Sequence, residues 1–397
     1  KEVRTLPGGV KTDADIKQNI RFTTLKVRLY PSPEQAELFE KTFGCCRYVW
    51  NQMLADQERF YIETGAFFIP TPAKYKTGAP FLKEVDNQAL IQEHNKLTQA
   101  FRVFFKDPEH FGHPRFKRKK DDRDSFTACN HVFASGDTIY ATKDGVRMTK
   151  AGIVRAKFSR RPQAWWKLKR ITVEKTRTGK YFCSILYEYT EKERIPVIPS
   201  EKTTVGLKYS MRHFYVDSSG SMADPPRWLR QSQEKLAGLQ QRLVRMQPGS
   251  RNYQETVQKY RLLHEHIANQ RRDYIHKESS RIANDWDAVC VRADDLNELN
   301  RLTDKGNVFD SGFGMFRECL RYKLARQGKR LLAIERGFPS TRTCSHCGAV
   351  MPEEIPLKRL TWTCLHCNTV LEREVNAAVN IKAEGLSEYF KSQRGTV

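Results

Sequence analysis

Two short cysteine motifs carry the clearest chemistry in this chain. Cys344-Ser-His-Cys347 and Cys364-Leu-His-Cys367 are C-x2-C pairs separated by a sixteen-residue spacer. At that spacing four thiolates close a tetrahedral site, so one structural Zn2+ held by Cys344, Cys347, Cys364 and Cys367 is expected. His346 and His366 lie inside the pairs and read as outward-facing residues rather than ligands. Such a site stabilises a small lobe with little core of its own. Seven residues past the last cysteine stands Glu374, inside EREVNAAVNI (Glu372 to Ile381), an acid at the head of an Ala/Asn-rich helix. The other six cysteines (Cys45, Cys46, Cys129, Cys183, Cys290, Cys319) are scattered among apolar neighbours, as small buried hydrophobes in a reducing compartment are.

These residues must be positioned by 397 residues, enough for two or three domains with separate cores. Lys and Arg total 69 against 46 Asp and Glu, a formal charge of +23, and the pI is near 9.6. A surplus of that size repels itself unless a polyanion is present, which makes nucleic acid the default partner. A merely basic protein, such as a ribosomal factor, is the competing class. No run of eighteen apolar residues and no N-terminal signal stretch occur, so a soluble intracellular protein is expected.

Residues 1–21 are polar and interrupted by Gly and Pro, as in a loose arm. Thr23 to Tyr30 alternates as a half-buried strand, and Pro33-Glu-Gln opens a helical pattern that returns from Asn87 to Phe105. FGHPRFKRKK (Phe111 to Lys120) is a basic loop with interleaved aromatics. Strand signals dominate Ser125 to Tyr189, at Thr138–Tyr140, Val146–Met148, Lys169–Glu174 and Tyr181–Tyr189. Beyond the linker at Pro196, Pro199 and Ser200, Thr203 to Tyr215 reads as a hairpin. Trp228 to Asn284 reads as an antiparallel helical pair broken at Pro248-Gly249. A buried strand (Ala288–Val291) ending at Asp294-Asp295-Leu296-Asn297, a helix (Phe316–Arg326) and a strand (Arg330–Glu335) lead into the cysteines. The fold class is α+β and multidomain: a β-barrel with an inserted helical lobe, then an RNase H-like α/β domain with an inserted zinc ribbon.

Taken in order, LKVRLYPSPEQ, HPRFKRKK, GKYFCSILYEY, NQRRDYIHK, DDLN, CSHCG…CLHC and NAAVNI resemble TnpB, the transposon-encoded RNA-guided nuclease family ancestral to type V CRISPR effectors. The resemblance runs from Thr23 to about Ile381. It implies an arm (1–21), a wedge barrel (22–33 and 109–198) and a helical recognition lobe (34–108). A RuvC domain (199–338 and 369–385), a zinc ribbon (339–368) and a tail (386–397) follow.

The family's RuvC site uses an Asp in a G-[IV]-D strand, a Glu before an aromatic/acidic-Leu-Asn motif, and an Asp in D-R-D-x-N-A-A. Three carboxylates supply the hard oxygens that clamp two Mg2+ ions. By this resemblance the positions fall at Lys208, in Val205-Gly206-Leu207-Lys208, at Asp294 and at Glu374. An ammonium replaces the first carboxylate, the second is shortened by a methylene and the third lengthened. The implied site is degenerate, so no catalytic residue and no catalytic Mg2+ are expected. Lys208 is expected to ion-pair with Asp294, Glu374 or both. The plainer alternative makes them surface acids and a solvated lysine.

The chain thus resembles the nuclease-dead TnpB-derived repressors called TldR. That resemblance implies a bacterial cytoplasmic (nucleoid) protein, a monomer on one guide RNA. It would bind a double-stranded DNA target beside a short motif and block transcription by occupying an R-loop. An active RNA-guided endonuclease, rescued by another acid such as Asp217 or Asp287, is the first alternative, though neither sits where the hairpin start requires. A zinc protein that binds nucleic acid without a guide is the second. Expected nucleic-acid contacts are Arg115, Lys117, Arg118, Lys119 and Lys120 in the basic loop, and Lys169 and Arg170 after Trp165-Trp166. Arg271 and Arg272 sit on the long helix, where pairing with Asp273 or Glu278 is the bland option. Tyr48, Asn51, Phe126, Thr127 and Asn130 are candidates by family position for reading the adjacent motif.

Overall fold

In the computed structural model the alternation of IRFTTLKVRLY becomes strand β1 (Ile20–Tyr30), with Leu25, Val27 and Leu29 buried and Phe22 and Tyr30 facing out. The structure describes residues 20–121, 124–130, 136–190, 195–210, 212–224, 227–293, 312–356 and 358–394. They fall into two units, residues 1–193 and 194–397.

In the first unit, Ser32 caps helix α1 (Pro33–Thr64) through a capping box with Gln35, and Gly65 ends it at φ 67°. Two 3-10 turns, at Pro72–Tyr75 and Pro80–Lys83, lead to α2 (Asn87–Lys106), capped by Asp86. Phe39, Phe43, Val49 and Met53 of α1 and Leu90, Leu97 and Phe101 of α2 share one core with the sheet. The sheet adds β2 (Ser125–Ala128), β3 (Tyr140–Ala141), β4 (Gly145–Met148), β5 (Gly152–Lys157), β6 (Lys167–Lys175) and β7 (Tyr181–Thr190) in the order β2-β6-β7-β1-β5-β4-β3.

Where a barrel is expected, the described residues form a curled seven-stranded antiparallel sheet with β2 and β3 at its edges. GIVRAK, not anticipated as a strand, is β5, and it alone ties β3 and β4 to β1. Ile20 and Arg21 also belong to β1 rather than to a loose arm, because they pair with Thr190 and Tyr189.

The second unit holds a five-stranded sheet of order β10-β9-β8-β11-β12. Its strands are β8 (Thr204–Tyr209), β9 (Tyr215–Asp217), β10 (Met222–Ala223), β11 (Ala288–Arg292) and β12 (Arg330–Ile334). The first three are antiparallel, whereas β11 runs parallel to both β8 and β12. Helices α3 (Arg227–Arg245) and α4 (Arg251–Asp285) form the antiparallel pair, divided at Gly249, whose φ of 85° only glycine adopts readily. Helix α5 (Phe313–Arg326) packs on α4, and Ile275, Ile282, Phe316 and Leu320 cover Val205, Leu207, Val289 and Val291.

The opposite face of the sheet takes α6 (Arg373–Arg394). A Cβ on Gly206 would stand 2.1 Å from the Ala378 carbonyl oxygen, and one on Gly385 would stand 2.6 Å from Cys290 Sγ. Two glycines therefore set this helix–sheet spacing. The helix continues to Arg394 with Leu386 buried, so residues 386–394, expected as a tail, extend α6. Between β12 and α6 lies a lobe with strands β13 (Thr361–Thr363) and β14 (Val370–Glu372), cored by Met351 and Trp362 against Cys344 and Cys364. No helix among the described residues is long and apolar enough to cross a membrane.

Candidate functional site

Alternation along β8 puts Val205, Leu207 and Tyr209 into the core under α4 and α5, which leaves Gly206 and Lys208 on the α6 face. Just past the strand, the Ser210 hydroxyl lies 2.9 Å from both carboxylate oxygens of Glu374. Lys208 thus leaves the strand between two points where β8 touches α6: Gly206 at Ala378, and Ser210 at Glu374. Glu374 sits in the first turn of α6, whose end is capped by Glu372 accepting from the Val375 amide at 2.8 Å. Asp294 and the DDLN segment lie outside the described residues. β11, which leads into them, is the parallel neighbour of β8, with Val291 opposite Leu207.

The two acids named as substitutes lie elsewhere on the sheet. Asp217 lies opposite Leu207, on the face turned away from α6, and its Oδ1 accepts from Ser219 N and Ser221 N in the turn after β9. Asp287 precedes β11, where its amide bonds to Thr203 O, and its carboxylate is 3.6 Å from Lys329 Nζ. That places it at the far end of β8 from Lys208. Ser210 is the residue that sequence reasoning missed; its one signal is its place two residues after Lys208.

The four cysteines come together. Their sulfurs all lie within 4.8 Å of one another, with Cys344–Cys367 at 3.6 Å and Cys347–Cys364 at 3.7 Å. Four thiolates 2.3 Å from a tetrahedral metal would be spaced about 3.8 Å apart, so the cluster fits such an ion. Disulfides would need far shorter separations. The two turns repeat one design. Gly348 N bonds to Cys344 O and Asn368 N to Cys364 O, at positive φ of 76° and 58°. His346 and His366 are exposed and outside the cluster.

The basic loop divides into inward-held and exposed residues. Lys117 turns inward: its Nζ lies 2.5 Å from Oε2 of the fully buried Glu93 and 3.9 Å from the Trp50 ring centroid. Asn51 holds the Lys117 backbone with both ends of its amide, and Trp50 Nε1 donates to Arg115 O. Lys117 and Asn51, expected as nucleic-acid contacts, are both engaged within the fold. Arg115, Arg118, Lys119 and Lys120 remain exposed.

Phe126 and Thr127 are also removed from the expected surface. Phe126 packs on Phe39 and Phe43, and Thr127, likewise buried, meets Thr172 Oγ1 at 3.0 Å. Tyr48 is half-buried against Phe81, and Asn130 is engaged by Asp137 and Ile139 N. Lys169 stands exposed at a β-bulge, 3.0 Å from Glu188, with Arg170 exposed beside it. Trp166 stacks on Tyr189 while Trp165 is 69% exposed. Arg272 is exposed and Arg271 half-buried on α4. The acids offered as their partners are engaged elsewhere, Asp273 by Lys277 and Glu278 by Arg281.

Profiles of known families match along the chain: a helix-turn-helix domain over residues 23–66, a "Probable transposase" over 184–300 and a Cas12f1-like TNB domain over 313–381. The first of these segments folds here as β1 and the single helix α1. The cryo-EM structure of a Cas12f1–sgRNA–target DNA complex shares the fold, with TM-score 0.59 and 12% identity over 92% of this chain and 99% of that one. InsQ of Escherichia coli K12, described as a "Putative RNA-guided DNA endonuclease", is 29% identical over 92% of each chain. A Streptomyces pristinaespiralis protein with the same description is 31% identical over 91% of this chain and 89% of its own length. With sequence likeness along nearly its whole length, and with the fold and cysteine cluster that accompany it, the chain belongs to the TnpB (IS605 OrfB) family.

Proposed function

We propose that this chain is an RNA-guided DNA-binding protein that does not cleave its target and represses transcription by occupying an R-loop. The observation that carries the reading is Lys208, on the α6 face of β8 between the Gly206–Ala378 and Ser210–Glu374 contacts. A carboxylate-to-ammonium change alters local charge by two units. Each unit interaction is worth about 4 kcal/mol at ~4 Å and an effective dielectric near 20. Lys208, Asp294 and Glu374 do not fit a pair of Mg2+ ions, and the Glu374 oxygens already accept the Ser210 hydroxyl.

The remaining functions need no cleavage. Guide pairing reads sequence, while the protein reads a short adjacent motif and heteroduplex shape. Arg115, Arg118, Lys119 and Lys120 hold phosphate, and Phe116 and Trp165 offer exposed faces for unpaired bases. Zn2+ is the ion we assign to Cys344, Cys347, Cys364 and Cys367, where it ties two turns into one lobe. The relatives described as endonucleases favour a second reading, an enzyme that still cuts.

One experiment separates these readings. The protein is purified with its bound RNA, the RNA is sequenced, and the complex is incubated with matched duplex and Mg2+. Stable binding without nicks is expected, and the triple reversion Lys208→Asp, Asp294→Glu, Glu374→Asp is expected to restore cleavage. Cleavage by the unaltered chain refutes the repressor, and absence of a discrete RNA refutes guidance altogether.

A further inference from the structure

Asn376 and Asn380 stand one turn apart on α6, only 2% and 6% exposed. Asn376 Nδ2 donates to Thr343 O at 2.8 Å, and its Oδ1 accepts from Ser345 N at 2.9 Å. Asn380 Nδ2 donates to the same Thr343 oxygen at 2.6 Å and to Ser340 O at 2.9 Å. Thr343 and Ser345 flank Cys344, so the backbone on both sides of one cluster cysteine is clamped to the helix. Between the two amides lie Ala377 and Ala378, both fully buried, with Ala378 against Gly206. Two residues before Asn376 comes Glu374.

Buried carboxamides with all these partners are costly to leave unmatched, which makes the arrangement rigid rather than incidental. A helix clamped to a cysteine turn on one side and wedged on a glycine strand on the other has little freedom to shift. The order of the turn and the order of the helix start are then one property.

We infer that Asn376 and Asn380 are positioning residues that join the cysteine cluster to the Glu374 end of α6. Filling the cluster fixes where α6 begins on β8, and α6 in turn presents Cys344 ready to bind. Coupling of this kind is reciprocal: whatever loosens one end weakens the other by the same factor. The inference goes beyond the repressor proposal and holds whether or not the protein cuts.

Two measurements on the full-length chain test it. First, Co2+ is titrated into metal-free protein and followed by its thiolate absorption bands. Asn376→Ala is expected to weaken Co2+ binding about 10- to 100-fold, the usual loss when a group supporting a metal ligand is removed, and Asn380→Ala less. Second, hydrogen exchange of residues 373–380 is compared in unaltered protein before and after chelation. Faster exchange there, with residues 20–190 unchanged, is expected. Unaltered Co2+ affinity in Asn376→Ala overturns the inference. So does unaltered exchange after chelation, a result that needs no variant to fold.

Discussion

Replacing Lys117 with methionine tests how the basic loop is built. The substitution keeps the length of the side chain and removes the charge that faces Glu93, whose carboxylate is 0% exposed. Deleting one partner of a buried ion pair costs about 3–5 kcal/mol when the other charge is stranded. Here Lys96 stays on the second oxygen at 2.6 Å, so the charge is not fully stranded and the loss falls below that range, at about 2–3 kcal/mol. Loss of the cation over Trp50 adds about 0.5–1 kcal/mol.

The assay has two readouts. Hydrogen exchange over α2 and residues 113–120 reports the anchor, and the salt dependence of RNA binding reports phosphate contacts. Lys117→Met should raise exchange in these segments and leave the salt slope unchanged. Arg115→Gln, Lys119→Gln and Lys120→Gln should each lower the slope by about 0.7 with no effect on exchange. If Lys117→Met leaves exchange untouched but flattens the salt slope, the anchoring argument is wrong and Lys117 is a phosphate contact.

Gly206→Ala should destabilise the second unit by about 1–3 kcal/mol or more, since its Cβ would meet the Ala378 carbonyl at 2.1 Å; a near-neutral urea midpoint would contradict this. Cys364→Ser should remove bound metal and raise exchange across the lobe cored by Trp362, read by metal analysis beside exchange. His276 is held below its ordinary pKa by burial and then by Lys323 and Arg272, with Asp273 opposing. It therefore contributes stability that is present above pH 6.5 and lost as pH falls through its folded value. Exchange in α5 should rise on acidification below 6.5, and His276→Gln should remove that pH dependence.

Features written in local sequence were legible. Two C-x2-C turns need only their own Gly348 or Asn368 to close, and the break at Pro248-Gly249 needs no distant partner. The alternation of β1 is likewise local, and Leu25, Val27 and Leu29 face the core as it dictates. What escaped depends on residues far apart in the chain. GIVRAK has weak alternation of its own and becomes a strand because β1 and β4 flank it. Lys117 counted among the surface cations until a buried acid, 24 residues earlier on α2, proved to face it. Phe126 and Thr127 lie in a segment whose family position suggested exposure, yet β2 buries both faces. Ser210 gains meaning only when α6 folds back, 164 residues later, to set Glu374 against it.

That last contact bears on how the protein behaves in a changing cell. A carboxylate satisfied by a neighbouring hydroxyl does not depend on a dissolved divalent cation to stay in place. The start of α6 should keep its shape through magnesium starvation, when enzymes that hold ions between bare acids lose theirs. On the proposed non-cleaving reading, Ser210 would free grip on a target from the supply of the ion that scission requires.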